Sequence, residues 1–123
     1  MDDDVVASAQ ELLEIAEVEA RLAEGSRPFT AAELAYAHSK SDPARRLAAR
    51  LAAKRAVVRL LGEDIGLDEV EVRAGAGGPP RLELGPRAQE RLGALGARRA
   101  LVSLTHERRH AAAVVLLLRS AAP

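Results

Sequence analysis

Apolar and polar side chains change their spacing about halfway along the chain. In residues 10–24, apolar side chains recur at roughly helical spacing among five glutamates, which predicts an amphipathic, acidic helix. Thr30, followed three residues later by Glu33, is a capping-box pattern that opens a short helix extending to about His38. The first third of the chain is therefore predicted to be helical.

The next segment predicts the longest helix. Asp42 and Pro43 mark its start, as a capping residue followed by proline at the first helical position, and Gly62 closes it. Its apolar stripe consists of Leu47, Leu51, Val58 and Leu61. Between Asp42 and Glu63 the segment carries no acid but six cations: Arg45, Arg46, Arg50, Lys54, Arg55 and Arg59. A helix with charges of one sign is expected to face an anion, such as phosphate or an acidic partner, and a solvated face is the alternative.

Beyond Gly62 the spacing becomes that of strands. Four segments alternate or form short apolar runs: 69–73, 81–84, 101–105 and 111–118. A further helix is predicted at 86–95. Helices followed by strands around one helix predict an α+β fold with a mainly antiparallel sheet.

Composition narrows the class of protein. At 123 residues the chain is expected to form one domain, 1–123. Lys plus Arg and Asp plus Glu number 18 each, which predicts no nucleic-acid partner. The lack of cysteine excludes a disulfide framework, a thiolate nucleophile and a cysteine-bound zinc ion. No run reaches the roughly 18 apolar residues of a membrane span, and the acidic start differs from a signal peptide, so we expect a cytoplasmic protein without a membrane partner.

Five segments carry motifs that, taken together, resemble one enzyme family. They are Glu11-Leu12-Leu13-Glu14-Ile15, Phe29-Thr30 with Glu33-Leu34, the basic run 46–62, Gly78-Pro79 with Leu82 and Leu84, and Val102 to Glu107 followed by Ala111 and Ala113. In order and spacing they are similar to the holo-acyl-carrier-protein synthases, which are small phosphopantetheinyl transferases. The likeness covers nearly the whole chain.

The resemblance implies a mainly antiparallel sheet packed on a long helix, in a homotrimer with active sites at the subunit interfaces. It also implies magnesium, coenzyme A and an acidic acyl carrier protein that receives the phosphopantetheine arm. In such chemistry a metal clamps the pyrophosphate, and carboxylates hold it because Mg²⁺ prefers hard oxygen ligands. Cations bind the remaining phosphate oxygens.

Three positions depart from the family pattern where the metal would bind. The family's metal-binding Asp corresponds to Glu11, its metal-binding Glu to Arg55, and a Lys one turn later to Arg59. Arginine stays protonated and would repel a dication. We therefore expect magnesium-dependent transfer to be lost and assign no metal site, with Glu11 as the single remaining candidate ligand. We hypothesise that Glu11 and Arg55 form an ion pair in place of the metal. The family's N-terminal glycine-containing strand motif is also missing from residues 5–10.

The resemblance then supplies the candidate site residues. The catalytic candidates are Glu11, Arg55, Arg59 and His106. The candidates for binding coenzyme A or phosphopantetheine are Arg50, Lys54, Gly78, Pro79 and His106. The candidates for docking the carrier protein are Arg45, Arg46 and Arg50.

Three functions stay open at this point. We favour a diverged relative that binds or acts on an acyl carrier protein or its phosphopantetheine arm in fatty-acid or polyketide biosynthesis. The second is an active phosphopantetheinyl transferase, in which Arg55 replaces part of the metal's charge. The third is a structural subunit of a larger assembly without a small-molecule site.

Overall fold

The computed structural model describes residues 4–25, 28–75 and 77–121, and these ranges contain four α-helices and five strands. The elements are β1 (Val5–Glu14), α1 (Ile15–Ala23), α2 (Ala31–His38), α3 (Pro43–Leu61), β2 (Val70–Arg73), β3 (Arg81–Leu84), α4 (Pro86–Ala94), β4 (Arg99–His106) and β5 (His110–Leu118). Within these ranges no helix combines the length and the apolar composition needed to cross a membrane.

The strands form two antiparallel sheets. One has three strands in the order β1-β5-β4, and the other pairs β2 with β3. One face of the larger sheet packs against α3, and its buried residues are Leu13, Ala111, Ala113, Val115 and Leu117. The predicted α+β arrangement, with a mainly antiparallel sheet on one long helix, is confirmed.

The long helix α3 lies in the centre of the molecule. The larger sheet covers one side of it, and α1, α2 and β2 contact it elsewhere. The predicted stripe of Leu47, Leu51, Val58 and Leu61 is buried, and alanines fill the positions between. Small side chains allow the neighbouring elements to approach this helix closely on several sides.

The C-terminal end of α3 is tied to α4. Gly62 adopts a φ of 131°, a conformation that favours glycine, and a side chain there would collide with the guanidinium of Arg91. Arg91 donates from Nη1 to the Leu61 carbonyl at 2.6 Å and from Nη2 to Asp64 Oδ2 at 2.7 Å. The hydrogen bond from Arg91 lowers the pKa of Asp64 to about 2. These contacts fix the last turn of α3.

The predicted acidic helix at 10–24 is wrong over its first part. Strand β1 continues to Glu14, and only Ile15–Ala23 is helical. Leu13 faces the core while Leu12 is exposed, as strand alternation requires. The strand forms because β5, which lies about a hundred residues further along, pairs with it, and such non-local pairing overrides local helical spacing. The strand also forms without the family's glycine motif.

A buried ion pair holds α2, α3 and β2 together. Lys54 Nζ lies 2.7 Å from Glu33 Oε1, and neither side chain is exposed. Glu33 also accepts hydrogen bonds from the backbone N–H groups of Thr30, at 2.9 Å, and Val72, at 2.8 Å. The Thr30 hydroxyl accepts from the Glu33 N–H, which completes the predicted capping box. All this hydrogen bonding offsets the cost of burying the carboxylate.

We predict that Glu33→Ala strongly destabilises the fold. The substitution leaves the Lys54 ammonium buried without its partner, which typically costs about 3–5 kcal/mol. The free energy of unfolding in urea measures the loss. Glu90→Ala, on the exposed surface of α4, is the control and should change stability by less than about 0.5 kcal/mol. A loss for Glu33→Ala no larger than the control's would contradict the role assigned to the pair.

Candidate functional site

Four of the six basic residues of α3 form two pairs on opposite sides of the helix. Arg46 and Arg50 stand one turn apart, as do Arg55 and Arg59. Arg55 follows Arg50 by five positions, so their side chains point about 140° apart around the helix axis. Each group lines its own cavity, so the residues that the sequence suggests for one site are separated in the folded subunit.

The first cavity, here the Arg50 cavity, has a volume of ≈ 220 Å³. α2 and α3 form one wall, and the end of β4 and the loop between β2 and β3 complete it. Its polar and glycine lining comprises Tyr36, Arg46, Arg50, Gly75, Gly78 and His106. It therefore unites His106 with two of the predicted cations and with one residue of the predicted Gly-Pro turn.

Arg50 is the unusual group in this cavity. Its side chain belongs to a residue only 4% exposed, and its Nε atom is buried without a hydrogen-bond partner. Nη1 donates to the Arg46 carbonyl at 3.4 Å, and the guanidinium lies over the Tyr36 ring, 4.2 Å from its centroid. Among the described residues no carboxylate pairs with it, and burial lowers the pKa of Arg50. A buried guanidinium that lines a cavity without an anion favours binding of an external one.

Arg46, in contrast, already has a partner. Its Nε donates to Asp42 Oδ1 at 3.0 Å, which raises the pKa of Arg46 and lowers that of Asp42. Asp42 is the N-cap residue of α3 and Pro43 lies in the first turn, both as predicted, but the Asp42 side chain makes no capping hydrogen bond and pairs with Arg46 instead. Arg45, the third residue of the predicted docking group, is half-buried.

The hairpin after β4 positions His106. Glu107 Oε1 accepts from the Arg109 N–H at 2.7 Å and contacts His110 Nδ1 at 2.9 Å. These hydrogen bonds lower the pKa of Glu107. The Ile15 N–H donates to the Arg109 carbonyl at 2.8 Å, which ties the hairpin to the start of α1. Hydrogen bonds within the loop and to the start of α1 thus fix the loop that follows His106.

The second cavity, here the Arg59 cavity, has a volume of ≈ 500 Å³. Its charged lining residues are Glu11, Arg21, Arg55, Arg59 and Glu63, and they come from β1, α1, α3 and the segment after α3. Three of the four predicted catalytic residues therefore line one cavity, whereas His106 lines the other.

The ion pairs around the Arg59 cavity differ from the hypothesis. Glu11 pairs with Arg59, and Arg55 Nη2 binds Glu17 Oε1 at 3.0 Å. Arg21 approaches the same Glu17 oxygen at 3.7 Å. The hypothesised pairing of Glu11 with Arg55 is wrong because β1 carries Glu11 beside the last turn of α3, while Arg55 lies against α1.

The residues at this position do not fit a magnesium ion. Mg²⁺ needs a near-octahedral set of oxygen ligands, yet the Glu11 carboxylate is engaged by Arg59, and the chain has Arg55 at the position where the resemblance implies a second carboxylate. In the three described ranges no group of three or more Asp, Glu or His residues is arranged to hold a metal ion. A guanidinium placed about 5 Å from a dication repels it by about 7 kcal/mol at an effective dielectric constant of about 20.

Two predicted ligand residues lie outside both cavities. Lys54 is fully buried and bound to Glu33, so in this subunit its ammonium cannot reach a phosphate. Pro79 is exposed, and the neighbouring Pro80 lines the Arg50 cavity instead. Sequence reasoning missed Tyr36 and Arg21 as site residues. Tyr36 is the only tyrosine of the chain and lies seven residues before the start of the basic helix, and this position could have indicated a role at the site.

Comparison with known proteins decides the family. The holo-[acyl-carrier-protein] synthase of Thermus thermophilus is 41% identical over 118 residues, which cover 92% of this chain and 93% of that protein. The chain belongs to the holo-[acyl-carrier-protein] synthase family. No protein-family model matches it.

Solved holo-[acyl-carrier-protein] synthase structures share the fold. The structure from Mycobacterium tuberculosis is 33% identical, has a TM-score of 0.73, and is matched over 92% of this chain and 96% of its own. A structure from Bacillus anthracis in complex with coenzyme A (3′,5′-ADP) is 22% identical with a TM-score of 0.76, matched over 95% of this chain and 99% of its own. The predicted family and its fold are therefore confirmed. In this holo-[acyl-carrier-protein] synthase relative, basic side chains lie on both sides of α3.

Proposed function

We propose that this protein binds coenzyme A, or the phosphopantetheine arm of an acyl carrier protein, through the Arg50 cavity. It acts on carrier proteins of fatty-acid or polyketide biosynthesis, and the magnesium-dependent transfer of its relatives has been lost. The observation that carries the binding proposal is the buried, carboxylate-free guanidinium of Arg50, which lines a cavity beside His106.

A phosphate group would supply the anionic partner that Arg50 lacks in this cavity. The Arg50 guanidinium offers planar donors that match two phosphate oxygens, and a charge-assisted pair is stronger than a neutral hydrogen bond. His106 and Arg46 supply further polar groups on the same wall. A cavity of ≈ 220 Å³ holds a phosphate group, while the remainder of coenzyme A extends beyond it.

Similarity to known proteins supports the ligand and the partner. The Thermus thermophilus relative is named as a synthase that acts on an acyl carrier protein, and the Bacillus anthracis structure contains coenzyme A. In the proposal, Arg45 remains the docking candidate for the carrier protein, because Arg50 is buried and Arg46 is held by Asp42. A cytoplasmic location stays a prediction.

The second candidate is an active phosphopantetheinyl transferase. Identity of 41% over nearly the full length of a named synthase favours it, and Arg59 keeps a cation where the family has a lysine. Against it stand the engaged Glu11 carboxylate and the guanidinium of Arg55. A purely structural subunit is the least supported function, since it gives no role to Arg50, which forms no salt bridge in the part of the chain that the structure describes.

We predict that Arg50→Met weakens binding of 3′,5′-ADP at least about tenfold and leaves the unliganded protein equally or more stable. Methionine removes a buried donor without a partner, whereas loss of a charge-assisted pair should weaken affinity at least about tenfold. Isothermal titration calorimetry and urea unfolding measure the two effects. Arg98→Met, at an exposed position, is the control. Unchanged affinity in Arg50→Met would contradict the proposed site.

We predict that the protein transfers no phosphopantetheine to an apo-carrier protein in the presence of coenzyme A and Mg²⁺. The engaged Glu11 and the cationic Arg55 leave no carboxylate pair for the metal on which that reaction depends. Intact-mass spectrometry of the carrier protein provides the measurement, with the Thermus thermophilus relative as the positive control. A mass gain of one phosphopantetheine would establish the second candidate.

We also propose that the protein assembles as the homotrimer that the family resemblance implies, through the open face of the larger sheet. The residues pointing to this face are Ser8, Gln10, Leu12, Leu101, Ser103, Thr105, Ala112, Val114 and Leu116. Along the described strands its central positions carry no charge, and Leu12 is 67% exposed. An uncharged face that exposes Leu12, Leu101 and Val114 is typical of an interface, and a groove beside Val114 connects it to Arg59.

We predict that Val114→Glu dissociates the assembly. The substitution places a charge in the middle of an uncharged face, where burial would require desolvation without a partner. Light scattering coupled to size-exclusion chromatography measures the molar mass. Gln89→Glu, on the exposed surface of α4, adds the same charge and should leave the mass unchanged. A Val114→Glu variant with the mass of the wild type would place the interface elsewhere.

A further inference from the structure

We infer that the guanidinium of Arg55 replaces a divalent cation in the Arg59 cavity, and that the single change Arg55→Glu converts this cavity into a divalent-cation site. The inference rests on the proposed function, because the loss of magnesium-dependent transfer is part of it. It adds that the positive charge in this cavity belongs to the chain itself and does not depend on a bound metal ion.

The first step is the balance of charge on the cavity wall. Each guanidinium is paired: Arg59 with Glu11, and Arg55 and Arg21 with the shared Glu17. Glu11, which lines the cavity, and Glu17 beside it are therefore already neutralised by arginine. A divalent cation entering the cavity would have to displace a guanidinium that stays protonated.

The second step is the geometry of substitution. Arg55 from α3 and Glu11 from β1 line the same cavity, with Glu63 from the segment that follows α3. A glutamate at position 55 would add a carboxylate to the cavity that Glu11 and Glu63 already line, and it would end the pairing of position 55 with Glu17. Several carboxylates around one cavity supply the oxygen ligands that Mg²⁺ and Mn²⁺ prefer.

The third step concerns what the arginines do for a ligand. The Arg59 side chain is 61% exposed and touches the Gln10 carbonyl at 3.4 Å, so it has donors free to face the open side of the cavity. A phosphate oxygen can be bound there directly, in competition with Glu11. Binding of an anion at this cavity is therefore expected to be insensitive to chelators.

Mn²⁺ titration of the full-length protein, followed by electron paramagnetic resonance, tests the inference. The wild type should show no saturable site in the millimolar range, whereas Arg55→Glu should bind one Mn²⁺. Arg55→Glu combined with Glu11→Gln should lose most of this gain, because Glu11 supplies a ligand. Arg98→Glu makes the same charge change at an exposed position and should behave as the wild type.

Two results would overturn the inference. One is a saturable Mn²⁺ site in the wild type that Glu11→Gln removes, a measurement that does not depend on any Arg55 variant folding. The other is an Arg55→Glu protein with wild-type circular dichroism and melting that gains no Mn²⁺ binding. Neither result concerns the Arg50 cavity, which is tested by 3′,5′-ADP, so failure here and failure of the proposed function can be told apart.

Discussion

The buried ion pair between Lys54 and Glu33 is the constraint on which the arrangement of the site depends. It fixes α3 against α2 and β2, and it sets the rotation of the long helix about its axis. With Lys54 directed into the core, Arg50 and Arg55 must point to different sides, because consecutive helical residues are about 100° apart. One basic residue of the helix, Lys54, thus stabilises the fold, and four others line the two cavities.

The two cavities differ in how their charges are compensated. In one, the buried Arg50 forms no salt bridge among the described residues, and its guanidinium contacts the Tyr36 ring and the Arg46 carbonyl. In the other, Arg55 and Arg59 are paired with glutamates from α1 and β1. A buried guanidinium without a carboxylate partner favours binding of an external anion. A guanidinium that is already paired with a glutamate binds an external anion less strongly. The stronger of the two anion sites is therefore proposed in the first cavity.

Family membership and local chemistry give different information about this protein. Identity of 41% with a named synthase over most of the chain establishes the family and the fold. Function, however, resides in particular side chains, and two carboxylate positions of the family motif have changed here, one to Glu11 and one to Arg55. A glutamate in place of aspartate keeps the charge, whereas an arginine reverses it. That reversal is why the proposed function departs from the activity of the relatives.

The order of residues alone predicts the family, the α+β class, the capping box at Thr30 and most of the helices and strands, because these follow from local spacing and ordered motifs. It could not determine β1, since that strand depends on pairing with β5 at the far end of the chain. Nor could it select the ion pairs: Glu11 meets Arg59 and Lys54 meets Glu33 only through tertiary packing. A charged residue's chemistry depends on its burial and its partner, and both are decided by contacts between residues distant in sequence.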